Sequence, residues 1–100
     1  MSFNSFSDFY KFYLSEHSKA GTKLFHFIGT ALVILSLLLY IYSYDPLYLY
    51  LAPITGYSFA WFSHFFIEKN TPATFKHPIY SIKADFVMFF DILTGKIKIF

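Results

Sequence analysis

The sequence predicts an all-α fold embedded in a membrane: one helical hairpin with amphipathic helices before and after it. Three observations carry this. Hydrophobic residues make up 56% of the 100-residue chain and charged residues only 14%. A soluble domain this small exposes too much surface to be charged so sparsely. Two stretches, residues 24–44 and 47–67, contain no Lys, Arg, Asp or Glu. Aromatics reach 25%, including nine Tyr, a residue whose apolar ring and polar tip suit the lipid–water boundary. The length allows one domain, residues 1–100.

The first element is an amphipathic helix over residues 5–19. Ser5-Phe6-Ser7-Asp8 fits a capping box, which satisfies free amide donors at a helix start. Phe3, Phe6, Tyr10, Tyr13 and His17 then recur at helical spacing, giving a face suited to a membrane surface. Asp8 and the missing basic start argue against a signal peptide. Gly21 is expected to break or bend the chain here. Residues 24–44 then span about 30 Å at 1.5 Å per residue, the thickness of a hydrocarbon core. Tyr40, Tyr42 and Tyr44 crowd the far end of this span like an aromatic belt, and Asp45-Pro46 signals a turn. Residues 47–67 return, with Pro53 and Gly56 expected to kink them. Residues 71–78 are a connection with two prolines. The last helix, residues 79–94, is apolar but carries Lys83, Asp85 and Asp91. It is expected to pack on the hairpin as an amphipathic or partly inserted helix, with both Asp residues solvated or paired to Lys.

Charge sets the orientation. Every Lys lies before the first span or after the second, and the connecting turn has none. By the positive-inside rule both termini face the cytoplasm, which suits an integral protein of an inner (cytoplasmic) membrane. With eight Lys, no Arg and a net charge of +2, the chain lacks the forked basic face of a nucleic-acid reader. With no Cys it has neither a disulfide nor a thiolate ligand or nucleophile.

The ionisable residues gather at one end. His26 sits just inside the start of the first span and His64 near the end of the second, so an antiparallel hairpin sets them at similar depth. His17 and His26 are nine residues apart, about 180° around one straight helix. A break between them removes that obstacle to a shared ligand. Glu68 lies four residues after His64, on one helix face with it. Neutral imidazole suits Fe, Zn, Cu or Ni, and two His plus one carboxylate is a non-haem Fe(II) pattern. Intramembrane ionisable groups tend to be functional. Against this stands the plainer view that each is an interfacial residue. Glu68 serves equally as a helix-end or Lys-paired residue, and His77, following Lys76 in a loop, is expected to hold no metal.

Larger motifs carry a resemblance. Phe9-Tyr10-Lys11-Phe12-Tyr13, His17, His26 and Gly29 resemble the opening of the Mpo-type 2-hydroxy fatty acid dioxygenase family. The second half is more specific: Gly56-Tyr57-Ser58-Phe59-Ala60-Trp61, then His64-Phe65-Phe66-Ile67-Glu68-Lys69-Asn70, then Pro72-Ala73-Thr74-Phe75, with Pro78, Ser81, Asp85-Phe86 and Met88 continuing it. The resemblance covers nearly the whole chain. It implies a membrane-embedded Fe(II) enzyme that takes a long-chain 2-hydroxy fatty acid and O2 to the acid one carbon shorter. It assigns the metal to His17, His26 and His64. Glu68 becomes a further ligand or a group orienting a histidine, and Lys69 a partner for the substrate carboxylate. A second copy of the chain is one way for a two-span protein to enclose a lipid site. Two other readings stand beside this one: a non-catalytic lipid-binding or scaffold protein, and a zinc-dependent lipid hydrolase.

Overall fold

The computed structural model describes residues 3–100, and among them it contains helices and no strand. Helix α1 runs Phe6–Ser15. Its start follows the capping expectation: Ser5 is extended, and its hydroxyl accepts the Asp8 amide at 3.2 Å. The helix buries Phe9 and Tyr13 against Ala84 and Met88 of the last helix.

Helix α2 runs Ala20–Ser43, so the expected break at Gly21 is corrected. The chain turns at residues 16–19, and Gly21 lies in the first turn of α2, facing Ile67. The helix continues past Lys23 because a lysine at a helix end keeps its ammonium in solvent while its stem lies along the protein. Tyr44 ends α2 in left-handed backbone (φ 58°), and Asp45 accepts the Leu47 amide at 3.0 Å to start the return. Helix α3 runs Leu47–Ser63, and one π-helical turn, His64–Glu68, extends it.

α2 and α3 pack antiparallel. Gly21 meets Ile67, Phe25 meets Phe62, Gly29 meets Phe59 and Val33 meets Gly56, so residue numbers rise on one helix as they fall on the other. Small residues allow the close approach. A Cβ added to Gly29 would stand 3.0 Å from the Phe59 Cβ and 3.4 Å from the Gly56 carbonyl. A short 3-10 turn, Ala73–Phe75, leads to helix α4, Pro78–Leu93. Pro78 occupies the first turn, where its missing N–H costs nothing. α4 packs across α1 and α2 and closes one end of the hairpin.

By length and composition, α2 is the one helix among the described residues suited to crossing a membrane. The regular part of α3 stops at 17 residues, short of the second uncharged run expected from the sequence, because the π turn takes over at His64. The far half of the hairpin is richly apolar outside, with Leu35, Leu38, Ile41 and Tyr50 all more than half exposed.

Candidate metal centre

Three elements bring three histidines to one point. His17 lies in the α1–α2 link, His26 one turn and a half into α2, and His64 opens the π turn. All three are buried. Their Nε2 atoms form a triangle: 3.1 Å from His17 to His26, 3.2 Å from His26 to His64 and 3.0 Å from His64 to His17.

The opposite nitrogens decide the chemistry. His17 Nδ1 lies 2.6 Å from the Tyr13 carbonyl, which can only accept, so this nitrogen carries the proton. His64 Nδ1 lies 2.6 Å from Asn70 Oδ1. The Asn70 amide is fixed the same way: its nitrogen donates to the Glu16 carbonyl at 3.1 Å and to a Glu16 carboxylate oxygen at 2.9 Å. His26 Nδ1 faces an Asp85 carboxylate oxygen at 3.4 Å. His17 and His64 therefore hold their protons on Nδ1, and the Asp85 carboxylate favours the same tautomer in His26, so that the Nε2 lone pairs face one another. Three lone pairs at this separation repel unless something positive lies among them. An ion about 2.0–2.1 Å from each imidazole nitrogen would meet all three at these spacings. The His17, His26 and His64 cluster can thus hold a metal ion, and a neutral all-imidazole set suits Fe, Zn, Cu or Ni. Burial, reinforced by the two neighbouring imidazoles, holds His17 well below its ordinary pKa and keeps it neutral.

A further shell locks these rings. Tyr13 stacks on His17, with ring centres 4.0 Å apart, and donates its hydroxyl to Asp85, the residue beside His26. Burial first, then the Asp85 charge, pushes the Tyr13 phenol well above its ordinary pKa, so it stays a donor. The expectation that Asp85 and Asp91 are solvated or Lys-paired is corrected. Asp85 serves Tyr13 and His26, and Asp91 accepts from the Tyr10 hydroxyl at 2.7 Å. Packing α1 on α4 offers each carboxylate a phenol in a half-buried setting, which a lysine in water cannot match.

Glu68 does not join the triangle. Its carboxylate accepts the Lys19 amide at 2.6 Å and the Ser18 hydroxyl at 3.1 Å, tying the π turn to the start of α2. An exposed helix start offers a carboxylate free N–H donors, and these win over its expected partnership with His64. Partial burial raises the Glu68 pKa, but the Lys19 amide, the Ser18 hydroxyl and the Lys19 charge outweigh it and hold the carboxyl below its ordinary range. Lys69 is exposed, in left-handed backbone (φ 62°), and belongs neither to the triangle nor to the cavity wall. His77 stands apart, edge-on to Phe3 and Phe9.

A cavity of about 280 Å³ lies between α2, α3 and α4. Its polar end is His26 and Asp85; beyond them it is walled by apolar and small side chains as far as Leu37 and Pro53. From His26 to Leu37 is about 16 Å along α2 at 1.5 Å per residue.

Residues 3–97 match the family model described as 2-hydroxy-palmitic acid dioxygenase Mpo1-like. The chain belongs to that family. No curated protein and no solved structure matches it. At the family level, the Mpo1-like assignment suggests dioxygenase activity on a 2-hydroxy fatty acid. Sequence reading identified all three members of the histidine triangle. It missed Tyr13 and Asn70 as their supports and misassigned Asp85, although all three stand in motifs that carry the resemblance.

Proposed function

We propose that this Mpo1-like chain is an Fe(II)-dependent dioxygenase that shortens long-chain 2-hydroxy fatty acids by one carbon at a membrane. The observation that carries the reading is the buried triangle of Nε2 atoms. His17, His26 and His64 would hold the metal. Bound there, Fe(II) would supply the one-electron chemistry that O2 needs in order to react with a closed-shell acid. The balanced reaction takes one 2-hydroxy acid and one O2 to the acid one carbon shorter, CO2 and water.

The remaining work falls to the chain itself. The apolar cavity takes the alkyl chain, each buried CH2 contributing about 0.8 kcal/mol. It ends on His26 and Asp85, so an acid bound in it brings its polar head to the metal ligands. Tyr13 and Asp85 fix the His17 and His26 rings and keep them from turning as substrate enters. Glu68 is a positioning residue: it ties the turn that bears His64 to the start of the helix that bears His26. The lysine distribution supports an inner (cytoplasmic) membrane location with both termini cytoplasmic.

The test is anaerobic purification, metal analysis, and O2 consumption with 2-hydroxypalmitate. Stoichiometric iron, and uptake of O2 that His64→Ala abolishes, is the expected result. Absence of iron with unchanged turnover in that variant would sink the reading. Zinc together with ester cleavage would favour a hydrolase on the same three histidines.

A further inference from the structure

We infer that Asn70 is the positioning residue that makes the metal triangle a single unit, by clamping two of its three ligands to each other. The inference rests on the metal reading above and extends it to a residue that touches neither metal nor substrate.

An asparagine amide has two N–H donors and one oxygen. In Asn70 all three serve. One N–H goes to the Glu16 carbonyl, the other to the Glu16 carboxylate, and the oxygen takes the His64 Nδ1 proton. Glu16 is the C-cap of α1 and the residue before His17. Its carbonyl is among those a helix leaves without an internal partner at its end. Asn70 thus holds the backbone that delivers His17 and, with its other face, the ring of His64.

The π turn exists in the right place to make this reach. It lets the His64 carbonyl accept the Lys69 amide and, at 2.9 Å, the Asn70 amide. Lys69 takes the left-handed conformation that reverses the chain. The reversal folds Asn70 back over the ring of His64, six residues earlier. No other side chain among the described contacts bonds both a triangle histidine and the link that carries another.

His26 needs no such help, because α2 fixes it. His17 lies in a link of four residues between helices, and its position depends on what grips that link. Two side chains from outside the link and the triangle hydrogen-bond to it. Glu68 holds Ser18 and Lys19 on one side of His17, and Asn70 holds Glu16 on the other. Of these two, Asn70 alone also sets which nitrogen of a ligand carries its proton.

The experiment uses full-length protein in detergent, loaded with Co(II), whose absorption bands report ligand geometry. Asn70→Ala removes both halves of the clamp and is expected to weaken Co(II) binding roughly 10–100-fold and to alter the bands. In Asn70→Asp the new carboxylate still accepts from His64 but presents only oxygens to Glu16, so binding weakens as well. Adding Glu16→Gln to Asn70→Asp supplies a donor from the opposite side and relieves the charge repulsion. This double variant restores the side-chain contact but not the one to the Glu16 carbonyl, and is expected to recover part of the lost affinity. In the metal-free protein, histidine nitrogen NMR is expected to find His64 protonated at Nδ1 in the parent and no longer fixed there in Asn70→Ala.

Wild-type affinity and bands in Asn70→Ala would overturn the inference. So would a double variant that binds no better than Asn70→Asp; this comparison decides the matter if Asn70→Ala fails to fold. A parent protein that binds no Co(II) instead overturns the metal reading itself.

Discussion

The two ends of the α2–α3 hairpin are built on opposite terms. At the histidine end the three buried imidazoles each have a named polar partner. Three histidines, Tyr13, Asn70 and Asp85 are joined across α1, α2, the π turn and α4. At the tyrosine end the chain simply turns. Residues 41–47 are all exposed, no other helix covers them, and the hydrogen bonds there are local, such as that from the Leu47 amide to Asp45. One end is held by long-range contacts between side chains. The other relies on the regularity of two helices and on whatever surrounds their apolar outer faces. Ligand geometry demands the first kind of construction, while an apolar exterior demands only composition.

The strongest way to break the histidine end is His26→Ala. It removes one of three donors and leaves the Asp85 carboxylate without its imidazole. Bound metal is expected to fall below detection, with loss of O2 uptake, while circular dichroism keeps the helical signature. Retention of stoichiometric metal in this variant would exclude the triangle as the centre.

The outer face answers to a different change. Leu35 is 51% exposed near the middle of α2. If α2 crosses a bilayer, Leu35→Lys places a charge in hydrocarbon at a cost of about 2.5–3.5 kcal/mol. The expected outcome is reduced membrane integration, measured by carbonate extraction. On a water-facing surface the same change would be almost neutral, within about 0.5 kcal/mol. Undiminished integration would remove α2 as a span.

These two ends were also unequally legible. The tyrosine end is local: Tyr40, Tyr42 and Tyr44 followed by Asp45-Pro46 state the turn outright, and Asp45 caps the return. At the histidine end the three ligands were readable, because ionisable residues in so apolar a chain stand out. Their supports were not. Asp85 looks like a solvated acid until α1 is laid on α4, a contact that brings together residues 72 positions apart. Asn70 looks like a loop residue until the π turn reverses the chain, and no residue between His64 and Lys69 announces that turn. Gly21 was misread because a glycine that marks close helix packing and one that marks a break look alike in sequence. Ser5, whose cap involves only its next three residues, was read correctly.

Between the ends, Gly29 measures how tightly the hairpin is closed. In Gly29→Ala the new methyl meets the Phe59 Cβ and a backbone oxygen, neither of which can swing away. Such overpacking typically costs 1–3 kcal/mol, and the gain of about 1 kcal/mol in helix propensity offsets part of it. A net loss of about 1 kcal/mol is expected in detergent unfolding, with metal affinity changed little, since Gly29 lies one turn beyond His26. Stabilisation instead would mean that the helices can part at this point without penalty.

Glu68→Gln is the mildest change at the histidine end, and pH gives it a distinctive signature. Glutamine keeps an oxygen for the Lys19 amide, so only the charge is lost from the start of α2. Charges at helix ends contribute about 0.3–1 kcal/mol, less where solvent screens them, and Glu68 is only partly buried; about 0.5 kcal/mol is therefore expected. The folded pKa of Glu68 is lowered, so the unfolded chain takes up its proton first as pH falls. The contribution of the carboxylate is fully present above its ordinary value of 4.5 and is lost as pH falls through the lower folded value. Parent and variant should therefore differ in stability at neutral pH and converge in acid. A gap that persists unchanged below the folded pKa would show that the glutamine side chain disturbs packing. A gap that grows in acid would show that Glu68 carries its proton in the folded protein, and its hydrogen bonds to Lys19 and Ser18 would then need a different account.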